Sequence, residues 1–192
     1  ARTRAPPQIQ LLRYGSQAMV RTIYLLGHPV LRAPARRVSP EELLQPTTQQ
    51  LIDDLIETMR AANGAGIAAP QVGESLQICV VEVRPNNPRY PYRPPIPLTV
   101  LVNPELVPEG DETFANYEGC LSVPDLRGVV KRHAVLRVRA LDRHGAPIET
   151  TARGLRACTY QHETDHLHGT LFVDRADPKT FCTWEHFETY QK

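Results

Sequence analysis

Apolar positions recur along this chain with two periods, and the switches between them mark its elements. Over residues 48–62, Leu51, Leu55, Thr58, Met59 and Ala62 repeat at spacings of three and four. Asp53, Asp54, Glu57 and Arg60 fall largely on the other faces, so the pattern predicts an amphipathic helix that ends at Asn63-Gly64. Residues 76–83 (LQICVVEV) are apolar and β-branched enough for a buried strand. Residues 99–103 read as a strand that stops at Pro104, and residues 117–124 (YEGCLSVP) alternate as a strand should. Residues 129–141 continue in strand style, with Val135, Arg137 and Arg139 opposite Leu136, Val138 and Ala140. Asp142-Arg143-His144-Gly145 then makes a hairpin turn that returns through 148–151. The helical period reappears over 152–169, where Leu155, Cys158 or Thr159, His162 and His166 recur at three and four and Gly169 supplies the stop. Residues 39–42 resemble a short helix start, and residues 171–173 a brief strand. His28 reads as a turn residue, and His133 and His144 as solvated.

Two stretches fit neither period. Residues 64–73 (GAGIAAPQVG) lack side-chain bulk, Pro70 fixes a bend, and Gln71 presents a neutral amide with two donors. No Lys-Ser or Lys-Thr follows the glycines, so a phosphate-binding loop is excluded. The glycine pattern also follows a helix and not a strand, which argues against a dinucleotide site. Residues 85–97 hold six prolines with Tyr90 and Tyr92 among them, which predicts a long surface loop placed to overhang a cleft.

Composition narrows the function classes. At 192 residues the chain suits one domain with a sizeable core, and a net charge of +1 gives no global field for nucleic acid. The charge is uneven, because residues 1–40 contain seven arginines and no Asp or Glu. Residues 1–22 are therefore expected to form a basic extension, an arm or the remnant of an organelle transit peptide, ahead of a single catalytic domain over 23–192. No run reaches the roughly 18 apolar residues of a membrane span. The four cysteines (Cys79, Cys120, Cys158 and Cys182) form no CxxC pair, which favours free thiols in a reducing compartment.

The chemistry concentrates in QHETDHLHG at 161–169. His162 and His166, at i and i+4, place two imidazoles on one helix face about 6 Å apart along the axis, where one divalent metal can engage both. Glu163, about 100° around the helix, can reach a water at that metal without taking a coordination position, which is the geometry of a base. The extended motif HExxHxxGxxH is excluded, since position 172 is Phe172. The third ligand is then either a glutamate of the tail, Glu185 or Glu188, or the Cys120 thiolate, which would leave one position open. Cys158 would close the site, but it lies about 9 Å along the axis from the midpoint of the histidines, beyond a cysteine's reach.

Three segments in order, GAGIAAPQ at 64–71, EGCLS at 118–122 and QHETDHLHG at 161–169, resemble the signature motifs of peptide deformylases, with the bacterial type nearest. The resemblance covers roughly residues 23–173. It implies an α+β fold with antiparallel β-sheets around a central helix carrying the HExxH motif. It implies a hydrolase that removes the N-formyl group from the N-terminal formylmethionine of nascent polypeptides, near the ribosome exit, and releases formate. Cys120, His162 and His166 would be the metal ligands, Glu163 the acid/base, and Gln71 with the Leu121 backbone amide the oxyanion donors. The implied cofactor is one divalent ion, Fe(II), with zinc, nickel or cobalt able to replace it. The compartment would be a bacterial cytoplasm or an organelle stroma or matrix.

On this reading the small residues of 64–71, Gly66 among them, and Gly119 let an extended peptide approach the backbone. Ile67, Leu155, Cys158 and Thr159 would line a pocket for the unbranched methionine side chain. Arg127, shortly after EGCLS, is expected at the substrate and paired with Glu118.

Overall fold

The computed structural model describes residues 17–88 and 94–191. Its elements run in the order α1 (Pro40–Leu43), α2 (Pro46–Ala61), β1 (Gly66–Ala68), β2 (Ile78–Val83), β3 (Ile96–Pro108), β4 (Thr113–Cys120), β5 (Val123–His133), β6 (Val135–Leu141), β7 (Pro147–Arg153), α3 (Gly154–Leu167), β8 (Cys182–Thr183) and α4 (Trp184–Tyr190). The fold is α+β. All strand pairs are antiparallel, in a five-stranded sheet of order β1-β2-β3-β6-β7 and a three-stranded sheet of order β4-β5-β8.

The five-stranded sheet is covered on both faces, which explains why β2 reads as continuously apolar and not as alternating. Ile78 and Val80 of β2, with Val100 and Val102 of β3, meet Leu51, Leu55 and Met59 of α2 on one face. Cys79, Val81 and Leu101 point the other way, into a cluster with Ala157, Tyr160 and Leu167 of α3. Each fully buried Leu, Ile or Val contributes roughly 1.5–3 kcal/mol, so these two layers dominate the stability of the sheet and clamp both helices to it. Leu31, Cys120, Val123, Val130, Leu171 and Phe172 form a third, smaller cluster at the three-stranded sheet.

Helix α2 stops as expected, with Asn63 in a left-handed conformation (φ 51°) before Gly64. Helix α3 is followed by Gly169 (φ 72°), where a side chain would also press on the Arg32 carbonyl oxygen at 2.5 Å. Residues 17–22 do not stand away from the body: the Met19 amide donates to Asp54 of α2 at 2.9 Å, and Arg21 pairs with Asp54 at 2.8 Å and Glu74 at 3.0 Å.

Four expectations are corrected. The strand expected to stop at Pro104 runs on to Pro108, because Pro104 sits in a bulge where the register against β6 shifts, so its missing N–H costs no ladder bond. Residues 129–141 are two strands of different sheets separated at Ala134. The EGCLS segment is a hairpin and not one strand: Cys120 ends β4, opposite Val123 of β5, with the chain reversing at Leu121 and Ser122. Residues 171–173 form no strand. A 3-10 turn covers Phe172–Asp174, held by the Leu171 amide donating to the Asp174 carboxylate at 2.8 Å. Tyr90 and Tyr92 of the proline-rich loop lie outside the described residues.

Candidate active site

Helix α3 and the β4–β5 hairpin bring together the groups that the sequence holds far apart. Helix α3 carries His162, Glu163 and His166, and β4 ends in Cys120. The Cys120 sulfur and one ring nitrogen from each histidine all lie within 4.8 Å of one another, with Sγ 3.3 Å from His166 Nε2. Neither Glu185 nor Glu188 belongs to this cluster, and Glu185 is exposed on α4. Of the two sources that the sequence offers for a third ligand, Cys120 is the one that shares the cluster with the histidines.

The orientation of His162 is fixed from behind. Its Nδ1 lies 2.9 Å from Glu118 Oε2, which leaves Nε2 for a metal, and its ring stacks on Phe172 at 6.3 Å. Glu118 is in turn gripped at both oxygens by Arg132, at 2.8 and 2.9 Å. Arg132 also donates to Asp165 at 2.6 Å, and Arg175 holds both oxygens of Asp165. Burial alone would raise the Glu118 pKa, but Arg132 and His162 overcome it and hold the carboxyl down at about 2. Glu118 therefore stays ionised behind the imidazole.

The expected Arg127–Glu118 pairing is thus made by Arg132, for a reason of register. Glu118 faces Gly128, and strand alternation puts Val130 and Arg132 on that face and Arg127 on the opposite one. Arg127 lies 4.2 Å over the Trp184 ring, and its guanidinium occupies the space that a side chain at Gly119 would need.

Two buried groups differ in how they are satisfied. Gln71 is anchored: its Oε1 accepts from the Ala68 amide at 2.9 Å, while Nε2 donates to Ser122 Oγ at 3.1 Å and approaches Cys120 Sγ at 3.5 Å. Glu163 is not. Its Oε2 has no hydrogen-bond partner among the described residues, and its carboxyl group fills the room left by the missing side chain of Gly66. Burial pushes its pKa up to about 7, with His162 and His166 opposing the rise. A carboxyl poised there can take or give a proton near neutrality.

The donor set fits a divalent ion. Burial alone would raise the Cys120 pKa, yet the adjoining His166 and His162 hold it well below the usual thiol range, toward the thiolate that binds metal. A thiolate with two imidazoles suits zinc or iron better than the hard cations that demand oxygen.

These groups open onto a cleft of about 550 Å³. Gly66, Gly119, Leu121, Arg127, Leu155, Cys158 and Thr159 all line it. Ile67 does not. It is fully buried in the α2 layer with Leu55 and Met59, because β1 alternation turns it away from Gly66 and toward the core. Trp184, Phe187 and Tyr117 line the cleft without having been anticipated.

A sequence profile for polypeptide deformylase matches residues 20–181. The chain belongs to that family. It is 46% identical over 170 residues to peptide deformylase 2 of Nostoc sp. (strain PCC 7120), covering 88% of this chain and 92% of that protein. It is 41% identical to the chloroplastic peptide deformylase 1A of Solanum lycopersicum, over 84% of this chain and 61% of that protein. Among solved structures, the Met-Ala-Ser-bound class I type b peptide deformylase of Acinetobacter baumannii superposes with a TM-score of 0.79 at 43% identity, over 83% of this chain and 99% of that one. As a peptide deformylase the chain is a hydrolase that removes the N-formyl group from the N-terminal formylmethionine of nascent polypeptides. Its deformylase motifs were legible one by one in the sequence. The Glu118–Arg132–Asp165–Arg175 relay was not, because each link depends on strand register or on helix placement.

Proposed function

We propose that this deformylase works with one divalent metal ion held by Cys120, His162 and His166, with α3 as the central helix that presents the HExxH motif. When bound, such an ion supplies a Lewis acid and a water acidified toward neutral pH. Glu163 accepts the proton of the attacking water and later delivers it to the departing amine, a task suited to a buried carboxyl with a pKa of about 7. Gln71 Nε2 and the Leu121 amide donate to the oxygen on which charge develops, and the anchoring of Gln71 at Ala68 and Ser122 means little reorganisation is needed. Leu155, Cys158 and Thr159 receive the methionine side chain from one wall of the cleft.

The observation that carries this reading is Glu163 Oε2, partnerless among the described residues and buried on the helix that brings two histidines to Cys120, in a cleft that could take a peptide. Iron is the expected ion, with zinc, nickel or cobalt as substitutes. The substrates are formylated chains emerging near the ribosome exit. Among the described residues no helix is long and apolar enough to cross a membrane. Similarity to bacterial and chloroplastic relatives supports the bacterial cytoplasm or an organelle as the compartment. The basic residues 1–22 are read as an extension of the catalytic domain over 23–192.

The test is ligand exchange. Cys120→Ser should lose most bound metal and most formate release from formyl-Met peptides, because a hydroxyl is a far less acidic and harder donor than a thiol. Full metal content and activity in Cys120→Ser, together with their loss in Glu185→Ala or Glu188→Ala, would return the third position to the tail.

A further inference from the structure

The family profile ends at residue 181, and α4 begins at Trp184. Even so, Trp184, Phe187 and Gln191 line the catalytic cleft. This segment is tied to the site. Strand β8 pairs Cys182 with Arg127 and Thr183 with Leu126 of β5, and the Thr183 side chain caps α4 by accepting from the His186 amide.

Trp184 and Phe187, three residues apart, share one helix face, with ring centroids 5.8 Å apart. Phe187 meets Tyr117 of β4 at 5.2 Å, and the Arg127 guanidinium lies over the Trp184 ring at 4.2 Å. The result is a wall of half-buried rings on a substrate cleft, where apolar area remains to be covered.

Where the wall stands suggests what covers it. Arg127 and Trp184 also line a second hollow of about 440 Å³ that shares Cys120 and Leu121 with the main cleft. Trp184 therefore borders either path that a chain leaving the metal ligands can take, and Phe187 and Tyr117 border the main one.

We propose that Trp184 and Phe187, braced by Arg127 and Tyr117, receive an aromatic or bulky apolar side chain on one of the two residues that follow the formylmethionine. The α4 wall thereby ranks nascent chains by their downstream sequence. The proposal rests on the deformylase reading above and adds to it a selectivity carried by a segment outside the family profile. Aromatic side chains gain from offset or edge-on contact with the rings.

The experiment is steady-state kinetics on formyl-Met peptides carrying Phe or Gly at the first or second position after methionine. The intact protein should prefer Phe to Gly in kcat/KM at one of those positions. Trp184→Ala and Phe187→Ala should each lower the Phe-to-Gly ratio roughly three- to tenfold, through KM more than kcat. If one variant folds poorly, the other reads the same ratio. An intact protein that does not discriminate among the peptides, or a ratio unchanged in both variants, would overturn the α4 proposal while leaving deformylation intact. Failure to release formate from every formyl-Met peptide would instead remove the parent reading, and this proposal with it.

Discussion

Glu118 Oε2 sits 2.9 Å from His162 Nδ1 and binds that imidazole to an ionised, fully braced carboxylate. The ring can neither rotate nor swap the nitrogen it offers to a metal without breaking this contact. Second-sphere carboxylates of this kind typically affect metal affinity by 10–100-fold when altered. Glu118→Gln should therefore lose metal roughly tenfold more readily. Metal titration with a competing chelator is the measurement, and excess metal should restore most formate release. Unchanged affinity would show that Phe172 stacking alone orients His162.

Gly66 should tolerate no side chain. A Cβ there would collide with the carboxyl group of Glu163, so Gly66→Ala must displace the proposed base. Displacement of a reacting group by about 1 Å can cost on the order of a hundredfold in rate, so kcat should fall roughly ten- to hundredfold with metal content retained. A variant with full kcat would mean that Glu163 does not need its observed position.

Acid stability provides a test away from the site. Asp54 is fully buried on α2, and although burial alone would raise its pKa, the Met19 amide, Gln50 and Arg21 lower it below the ordinary value. A carboxyl with a depressed folded-state pKa contributes stability above its unfolded pKa and loses it as the pH falls through the folded value. Asp54→Asn should cost about 2 kcal/mol at pH 7, and the gap to the unmodified protein should close as the pH drops below about 4. Thermal unfolding at several pH values measures it, and a gap independent of pH would assign the loss to shape rather than charge.

What the sequence disclosed, and what it hid, follows from the range of each interaction. The pairing of His162 with His166 is set by helical spacing alone, so the motif could be read directly. The reversal at Leu121-Ser122 uses no Gly, Pro or Asn, and apolar alternation runs through it and through Ala134 without a break. Turn chemistry therefore marked neither the hairpin nor the passage between sheets. Pro104 misleads in the other direction, because a proline ends a strand only when its N–H is needed, and in the bulge it is not. The choice of Arg132 over Arg127 as the partner of Glu118 needed the β4–β5 register, which no local pattern encodes. Ile67 shows the same dependence, since only the pairing of β1 with β2 decides which of Gly66 and Ile67 faces Glu163.

The central claim is that Glu163 moves protons without holding the metal, and Glu163→Gln tests it most directly. The variant keeps the size of the side chain and removes its charge and basicity. Metal content and formate release from a formyl-Met peptide should be measured on the same preparation. The account predicts metal content equal to that of the unmodified protein with formate release lowered roughly 10²- to 10⁴-fold. Loss of the metal, or activity close to that of the unmodified protein, would contradict it.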